Sequence, residues 1–128
     1  MSLSFKNRKF RVKQMATDPY LLDRMRRILT ARGISWEEKR MFGGDCFMVD
    51  DKMCFGTYKG GIMARVAPEE VDELTQKEGA RQMIHGGRPM TGYLFLEADA
   101  YDADAELEFW IGRCLAFNPK ARSSKKKK

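Results

Sequence analysis

The residues of this 128-residue chain whose types could do chemistry are one histidine, three cysteines and a few carboxylate clusters. His85 precedes Gly86 and Gly87. A general base must lie within hydrogen-bond reach of the proton it takes and is usually oriented by a further group. The sequence identifies neither a nucleophile nor a carboxylate for that purpose, so His85 is expected in a structural turn. Cys46 and Cys54 flank Asp50-Asp51. A two-residue turn there sets Cys46 opposite Phe55 and Cys54 opposite Phe47, and the strand period of two then points the thiols to opposite faces. They cannot join in a disulfide or a metal pair, and packing is expected of both, because free cysteine is commonly buried. Cys114 falls in the apolar stripe of the last helix. One histidine and three scattered cysteines give no zinc spacing, and no metal or cofactor is expected.

Gly60-Gly61 and Gly86-Gly87-Arg88 invite a phosphate-loop reading, but neither is followed by the Lys-Ser/Thr and helix of a P-loop, so both read as hairpin turns. The acidic groups Glu69-Glu70 and Asp99, Asp102 and Asp104 lie at expected helix starts, where capping and the helix dipole explain them. Nine methionines are present, and Met41, Met48, Met53, Met63, Met83 and Met90 lie in or beside expected strands. A flexible thioether fills a core or an adaptable binding surface. Core filling is preferred because Met53 alternates in phase with Phe55. No catalytic set emerges, and an enzyme is not expected.

The net charge of +6 is unevenly placed. Lys6, Arg8, Lys9, Arg11 and Lys13 lie in an acid-free start, and Lys120, Arg122, Lys125, Lys126, Lys127 and Lys128 in an acid-free end. The body between Gln14 and Asn118 is then acidic, with a net charge of −5. Two readings stay open for the ends. They are solvated tails, or they are arms that grip a phosphate backbone, as the interleaving of Phe5 and Phe10 with Lys6, Arg8, Lys9, Arg11 and Lys13 allows. Against the second stands the acidic body, which repels phosphate.

The elements follow from periodicity. Asp18-Pro19 starts a helix over 19 to 32, with Leu21, Leu22, Met25, Ile28 and Leu29 on one face and Gly33 as its stop. From Trp36 to Val66 short β-compatible runs form a three-strand meander, in which Gly43-Gly44 is either a turn or a bulge within one long strand. Pro68 opens a second helix that ends at Gly79. Residues 80 to 84 and 91 to 97 read as strands, with Tyr93 and Phe95 facing one way and Leu94 and Leu96 the other. The last helix starts near Asp102 and carries Leu107, Trp110, Ile111, Cys114 and Leu115 at helical spacing, until Asn118-Pro119 stops it. The order α-β-β-β-α-β-β-α predicts an α+β domain, a five-stranded antiparallel sheet with three helices. The expected division is a basic N-terminal arm over 1–16, the domain over 17–118 and a basic disordered tail over 119–128.

Met41-Phe42-Gly43-Gly44, the Asp50-Asp51 turn, and Gly87-Arg88-Pro89-Met90-Thr91-Gly92-Tyr93 resemble the N-terminal domain of the TfoX/Sxy family, here standing alone. The resemblance implies a fold similar to secretion-chaperone-like α+β domains, with Met41, Phe42, Gly43 and Gly44 inside a long first strand, which favours the bulge. It also implies a regulatory role, since members regulate competence genes in some bacteria, and no catalytic residue set. Its motif residues Met41, Phe42, Gly43, Gly44, Gly87, Arg88, Pro89, Met90, Gly92 and Tyr93 are structural on that reading.

The composition, 43% hydrophobic and 33% charged, suits a folded domain and excludes a wholly disordered chain. No apolar run approaches the roughly 20 residues that span a bilayer. Three cysteines at irregular spacing fit a reducing cytoplasm. The expectation is a non-catalytic regulatory or protein-interaction module, a homodimer with a possible protein partner and no membrane association. The alternative is a nucleic-acid-binding accessory protein that works through its basic ends.

Overall fold

The computed structural model describes residues 18–122. Helix α1 spans Pro19–Ala31. The Asp18 carboxylate accepts the Tyr20 amide at 3.0 Å, satisfying one donor that a helix start leaves without an intrahelical partner. At the far end the Ile34 amide reaches the Leu29 carbonyl, and the Gly33 amide the Thr30 carbonyl, each at 3.0 Å. These paired contacts are a Schellman stop. Leu21, Leu22, Met25, Ile28 and Leu29 are all buried, which is the expected stripe.

Six strands follow: β1 Glu37–Met41, β2 Gly44–Val49, β3 Lys52–Tyr58, β4 Gly61–Arg65, β5 Ala80–His85 and β6 Arg88–Leu96. They form one antiparallel sheet in the order β1-β2-β3-β4-β6-β5. Helix α2, Val71–Leu74, follows a 3-10 turn at Pro68–Glu70; α3 is Ala98–Tyr101 and α4 Asp104–Phe117, closed by a 3-10 turn at Asn118–Lys120.

The α+β class stands, but the sheet has six strands and there are four helices, not five and three. The extra strand comes from Phe42 and Gly43, whose φ angles of 55° and 77° are both left-handed. They form a two-residue turn, so that Met41 pairs with Gly44 and the expected long first strand is a hairpin. The bulge reading of Gly43-Gly44 is therefore corrected to a turn. The extra helix comes from a break at Ala103, whose backbone is extended. Its amide donates to the Glu106 carboxylate at 3.3 Å, restarting the chain as α4.

The β2–β3 register also differs from expectation. Val49 pairs with Lys52 and Met48 with Met53, after which the pairing slips, so that Phe47 faces Phe55 and Cys46 faces Gly56. Cys54 is the extra residue of a β-bulge. The two cysteines still occupy different layers: Cys54 lies in the core under the helices and Cys46 in the core of the opposite face.

One face of the sheet carries α1 and α4. Phe47, Phe55, Ile62, Leu94 and Leu96 from the strands meet Met25 and Leu29 of α1 and Leu107, Trp110, Ile111 and Cys114 of α4. Phe47 and Phe55 stack at 4.8 Å between centroids. The buried Trp110 ring places its Nε1–H on the Ala100 carbonyl at 3.0 Å, so its one polar group is satisfied. The end of α4 is tied to the β2–β3 hairpin: the buried Asn118 donates to the Val49 carbonyl at 3.0 Å, and Lys52 Nζ donates to the carbonyls of Asn118 and Pro119 at 3.1 and 3.2 Å.

The β5–β6 hairpin is irregular. Gln82 pairs with Leu94 and Ile84 with Pro89, so Met83 alone on β5 stands against Met90, Thr91, Gly92 and Tyr93 on β6. Gly92 adopts φ 81°, a conformation a side chain would strain. Its carbonyl accepts the Val66 amide at 2.8 Å. The Gln82 carboxamide fills the gap: Nε2 lies 2.7 Å from the Met90 carbonyl, 3.1 Å from that of Met83 and 3.2 Å from that of Tyr93. Gln82→Glu keeps the shape and turns a donor group into an acceptor facing three carbonyls. Urea denaturation should show a loss of about 1–3 kcal/mol at pH 8, where the carboxylate is charged, and a smaller loss near pH 4. An equal loss at both pH values would mean that these hydrogen bonds do not hold the bulge.

Candidate functional site

The opposite face of the sheet has a core of its own, built without a helix. Cys46, Met48, Met53, Tyr58, Met63 and Met83 are buried there, with Met41, Phe42, Met90, Tyr93 and Phe95 half-buried against them. The preference for core filling among the methionines therefore holds for this layer, and the expected alternation of β6 places Tyr93 and Phe95 here and Leu94 and Leu96 under the helices.

What covers this face includes the tip of the β5–β6 hairpin. In a flat sheet β5 would lie about 14 Å from β3, three strand spacings away. Yet His85 Nδ1 is 2.9 Å from the Tyr58 hydroxyl. The His85 ring also meets Phe42 of the β1–β2 turn edge-on, at 5.2 Å between centroids. The irregular pairing below Gln82 turns the tip out of the sheet plane and across the layer. Tyr58 in turn packs edge-on against Phe95 at 6.0 Å. His85 does sit beside a hairpin turn, and its Nδ1 is engaged by a phenol.

This brings together the two motif segments of the sequence. Met41, Phe42, Gly43 and Gly44 form the β1–β2 turn, and Gly87, Arg88, Pro89, Met90, Gly92 and Tyr93 form the turn-proximal half of β6 and its bulge. They meet around His85. Tyr93 carries the Arg65 guanidinium over its ring at 5.4 Å. Burial raises the Tyr93 phenol above its ordinary range, with Arg65 opposing. Arg65 also donates to the Met53 and Arg122 carbonyls at 3.3 Å, fixing the exit of the chain beside β3. Sequence reading missed Tyr58, Gln82 and Arg65. Nothing in the local pattern of β5, where Arg81 and Gln82 are adjacent polar residues, marks Gln82 for its role.

The three cysteines are buried and free. Burial, and then the Asp45 carboxylate, push the Cys46 thiol up to about 11. Burial pushes Cys54 up to about 12, with Arg65 opposing. Cys114 is raised well above its ordinary value, again chiefly by burial. These thiols are protonated near neutral pH and are poor nucleophiles and ligands. Among the described residues no three His, Cys, Asp or Glu side chains are grouped to hold a metal ion.

A groove of about 270 Å³ lies between α1 and α4, lined by Arg24, Arg27, Ile28, Ala31, Asp104 and Glu108. Its Arg24 is a strut: Nη2 donates to the Tyr101 and Asp102 carbonyls and to the Asp104 carboxylate at 3.0 to 3.1 Å. His85 is not part of it. The candidate nucleic-acid residues Lys6, Arg8, Lys9, Arg11, Lys13 and Lys125 to Lys128 lie outside the described residues. No helix among the described residues is long and apolar enough to cross a membrane.

An open antiparallel sheet with helices on one face and a methionine–aromatic layer under its own hairpin on the other defines a small α+β sheet domain. The family model of the TfoX N-terminal domain matches residues 29–118, and the chain belongs to that family. The matched span holds the whole sheet, both motif segments and α4. Neither a curated protein nor a solved structure matches.

The raised thiols give a pH prediction. Below pH 9 all three should resist a disulfide reagent in the native state and react after unfolding. Because the folded-state values lie above the unfolded ones, the folded chain keeps protons that the unfolded chain loses. Stability is therefore full below about pH 8.5, the ordinary thiol value, and falls as pH rises toward 11 to 12. Urea midpoints measured at pH 8, 10 and 11 should decline in that order. Rapid labelling of native protein at pH 8 would contradict the burial of these groups.

Proposed function

We propose that this chain is a non-catalytic regulatory or protein-interaction module that acts as a two-fold homodimer. Membership of the TfoX N-terminal domain family supports the regulatory reading, and regulation of transcription, competence genes included, is its finer form. The observation that carries the assembly is the unlike character of the two sheet edges.

The β1 edge presents Glu37, Glu38, Lys39 and Arg40, all exposed. Glu38 is fixed by the Arg26 guanidinium through two hydrogen bonds of 2.8 Å and by Trp36 Nε1 at 3.0 Å. If β1 paired antiparallel with a copy of itself, keeping the faces in phase, the residue on the two-fold axis would meet its own copy. Glu38 would face Glu38, or Lys39 would face Lys39, and like charges directly opposite are destabilising. Such charges are the usual protection of a free edge.

The β5 edge lacks that protection over Gln82, Met83 and Ile84. Ile84 is 53% exposed, and it is an apolar residue on an edge strand, paired on one side only, with Pro89 as its neighbour across the hairpin. Arg81, the one arginine of β5, is paired with Glu97. Two-fold pairing centred between Gln82 and Ile84 sets no like charges together and covers Ile84. Light scattering should give twice the 14.8 kDa chain mass. Ile84→Lys should shift the scattering mass toward the monomer and leave the circular dichroism unchanged. A wild-type monomer over a wide concentration range would overturn the reading.

A second reading, polyanion binding through the ends, is favoured by one observation. Residues 18–122 carry a net charge of −3, and nine lysines and arginines lie outside them. Binding to random duplex DNA would then fall with salt at a log–log slope of about −0.9 per phosphate neutralised. Replacing Lys125 to Lys128 with serine should flatten that slope. Salt-insensitive or sequence-specific binding would point to the folded body instead.

A further inference from the structure

We propose that Met41 and Met90 are an oxidation site for hydroperoxides, at which conversion of their thioethers to sulfoxides frees the β5–β6 hairpin tip from the second layer. The proposal stands apart from the dimer and from the regulatory reading, because it rests on the methionine layer alone.

The second layer concentrates six methionines on one face: Met48, Met53, Met63 and Met83 are buried, and Met41 and Met90 are half-buried at its margin. The two marginal residues flank the contact that holds the tip. Met41 precedes Phe42, whose ring meets His85. Met90 lies on the tip itself, and its carbonyl accepts Gln82 Nε2 at 2.7 Å. In the described body these two are the methionines that water and small oxidants can reach, because Met25, Met63 and Met83 have no exposed surface and Met48 and Met53 nearly none. The neighbouring Cys46 is buried and held as a thiol, so it does not compete as a thiolate.

The chemistry is a two-electron oxygen transfer. The sulfur lone pair attacks the distal peroxide oxygen, the O–O bond breaks, and the sulfur keeps that oxygen as a sulfoxide. The proton on the transferred oxygen passes to the other oxygen, which leaves as water, or as an alcohol from an organic hydroperoxide. A flexible apolar side chain becomes polar and requires a hydrogen-bond partner. Within the layer the Tyr58 hydroxyl is already engaged with His85 at 2.9 Å. A sulfoxide kept inside the layer goes unsatisfied or competes for a hydroxyl such as that of Tyr58, so its oxygen turns outward to the water that these marginal positions already meet. That outward turn takes the Met41 and Met90 side chains out of the packing and weakens the closure of the tip. Methionine sulfoxide reductases reverse the change.

The test is hydrogen peroxide added in steps to the full chain, with each methionine read separately by peptide mass and amide exchange followed over residues 83–91. Among described methionines, Met41 and Met90 should be oxidised first, while Met25, Met63 and Met83 stay reduced. Exchange over 83–91 should then rise by about tenfold or more, with α4 unchanged, as for a local opening. Incubation with the reductases and a dithiol, which is oxidised to its disulfide as the sulfoxide oxygen leaves as water, should restore it. The double variant Met41→Leu with Met90→Leu keeps the volume and should fold as the wild type, with no exchange response to peroxide. The proposal is overturned if Met25 oxidises alongside Met90, if the sulfoxides form and exchange over 83–91 does not move, or if the leucine variant responds as the wild type does.

Discussion

A sheet of this composition must bury both faces, and its helices cover only one of them. Leu94 and Leu96 look toward α1 and α4, while Tyr93 and Phe95 look the other way and are half-buried or better. The β6 strand resolves this by carrying three more residues than β5 across the stretch opposite Met83. The excess bends the hairpin tip over the second face. That bend leaves carbonyls pointing inward, and the Gln82 carboxamide serves them at 2.7 to 3.2 Å. Without that group the bulge would bury unpaired acceptors, each costing roughly 1–3 kcal/mol. The tip would then lose its geometry, and the methionine layer part of its cover.

The same constraint explains how the ends of the domain are fastened. Because the hairpin tip serves one face, α1 and α4 are both free for the other. The links that fasten the helices are backbone-directed: Arg24 of α1 to the carbonyls of Tyr101 and Asp102 at the end of α3, Lys52 of the sheet to those of Asn118 and Pro119, and Asn118 to that of Val49. Charged side chains that reach carbonyls satisfy helix ends and keep their positions independent of partner rotamers. Exposed ion pairs such as Asp23–Arg27 add little beside them.

Much of the fold could be read from residue spacing, and the failures have identifiable causes. Helix α1 was legible from Asp18-Pro19 and Gly33, because caps act through the nearest residues. The alternation of β6 was legible because period two is local. The hairpin at Phe42-Gly43 was hidden because phenylalanine seldom adopts φ 55°, so the glycine pair looked like the feature when the turn lies one residue earlier. The slip at Cys54 was invisible because it goes with the pairing and stacking of Phe47 on Phe55, a contact across strands that no local pattern records. The Tyr58–His85 contact depends on two irregular strands and a turn acting together, and no short window of sequence contains it. His85 was correctly placed beside a turn, yet nothing near it in the chain named Tyr58 as its partner.

The motif residues on which the chain's resemblance to the family rests are occupied in closing the second layer. Phe42 receives His85, Gly43 makes the turn, Gly92 makes the bulge and Tyr93 carries Arg65. Side chains committed to such contacts have little freedom to meet a partner directly. The described surface away from these residues includes the outer side of β5, where Ile84 is exposed. The layer contributes in another way, because its contacts with His85 hold the hairpin tip as it turns out of the sheet, and that turn sets how the β5 edge is presented. A change that loosened the layer would alter that edge without touching any residue on it. The motif segments and the outer side of β5 are thus mechanically joined through one hairpin.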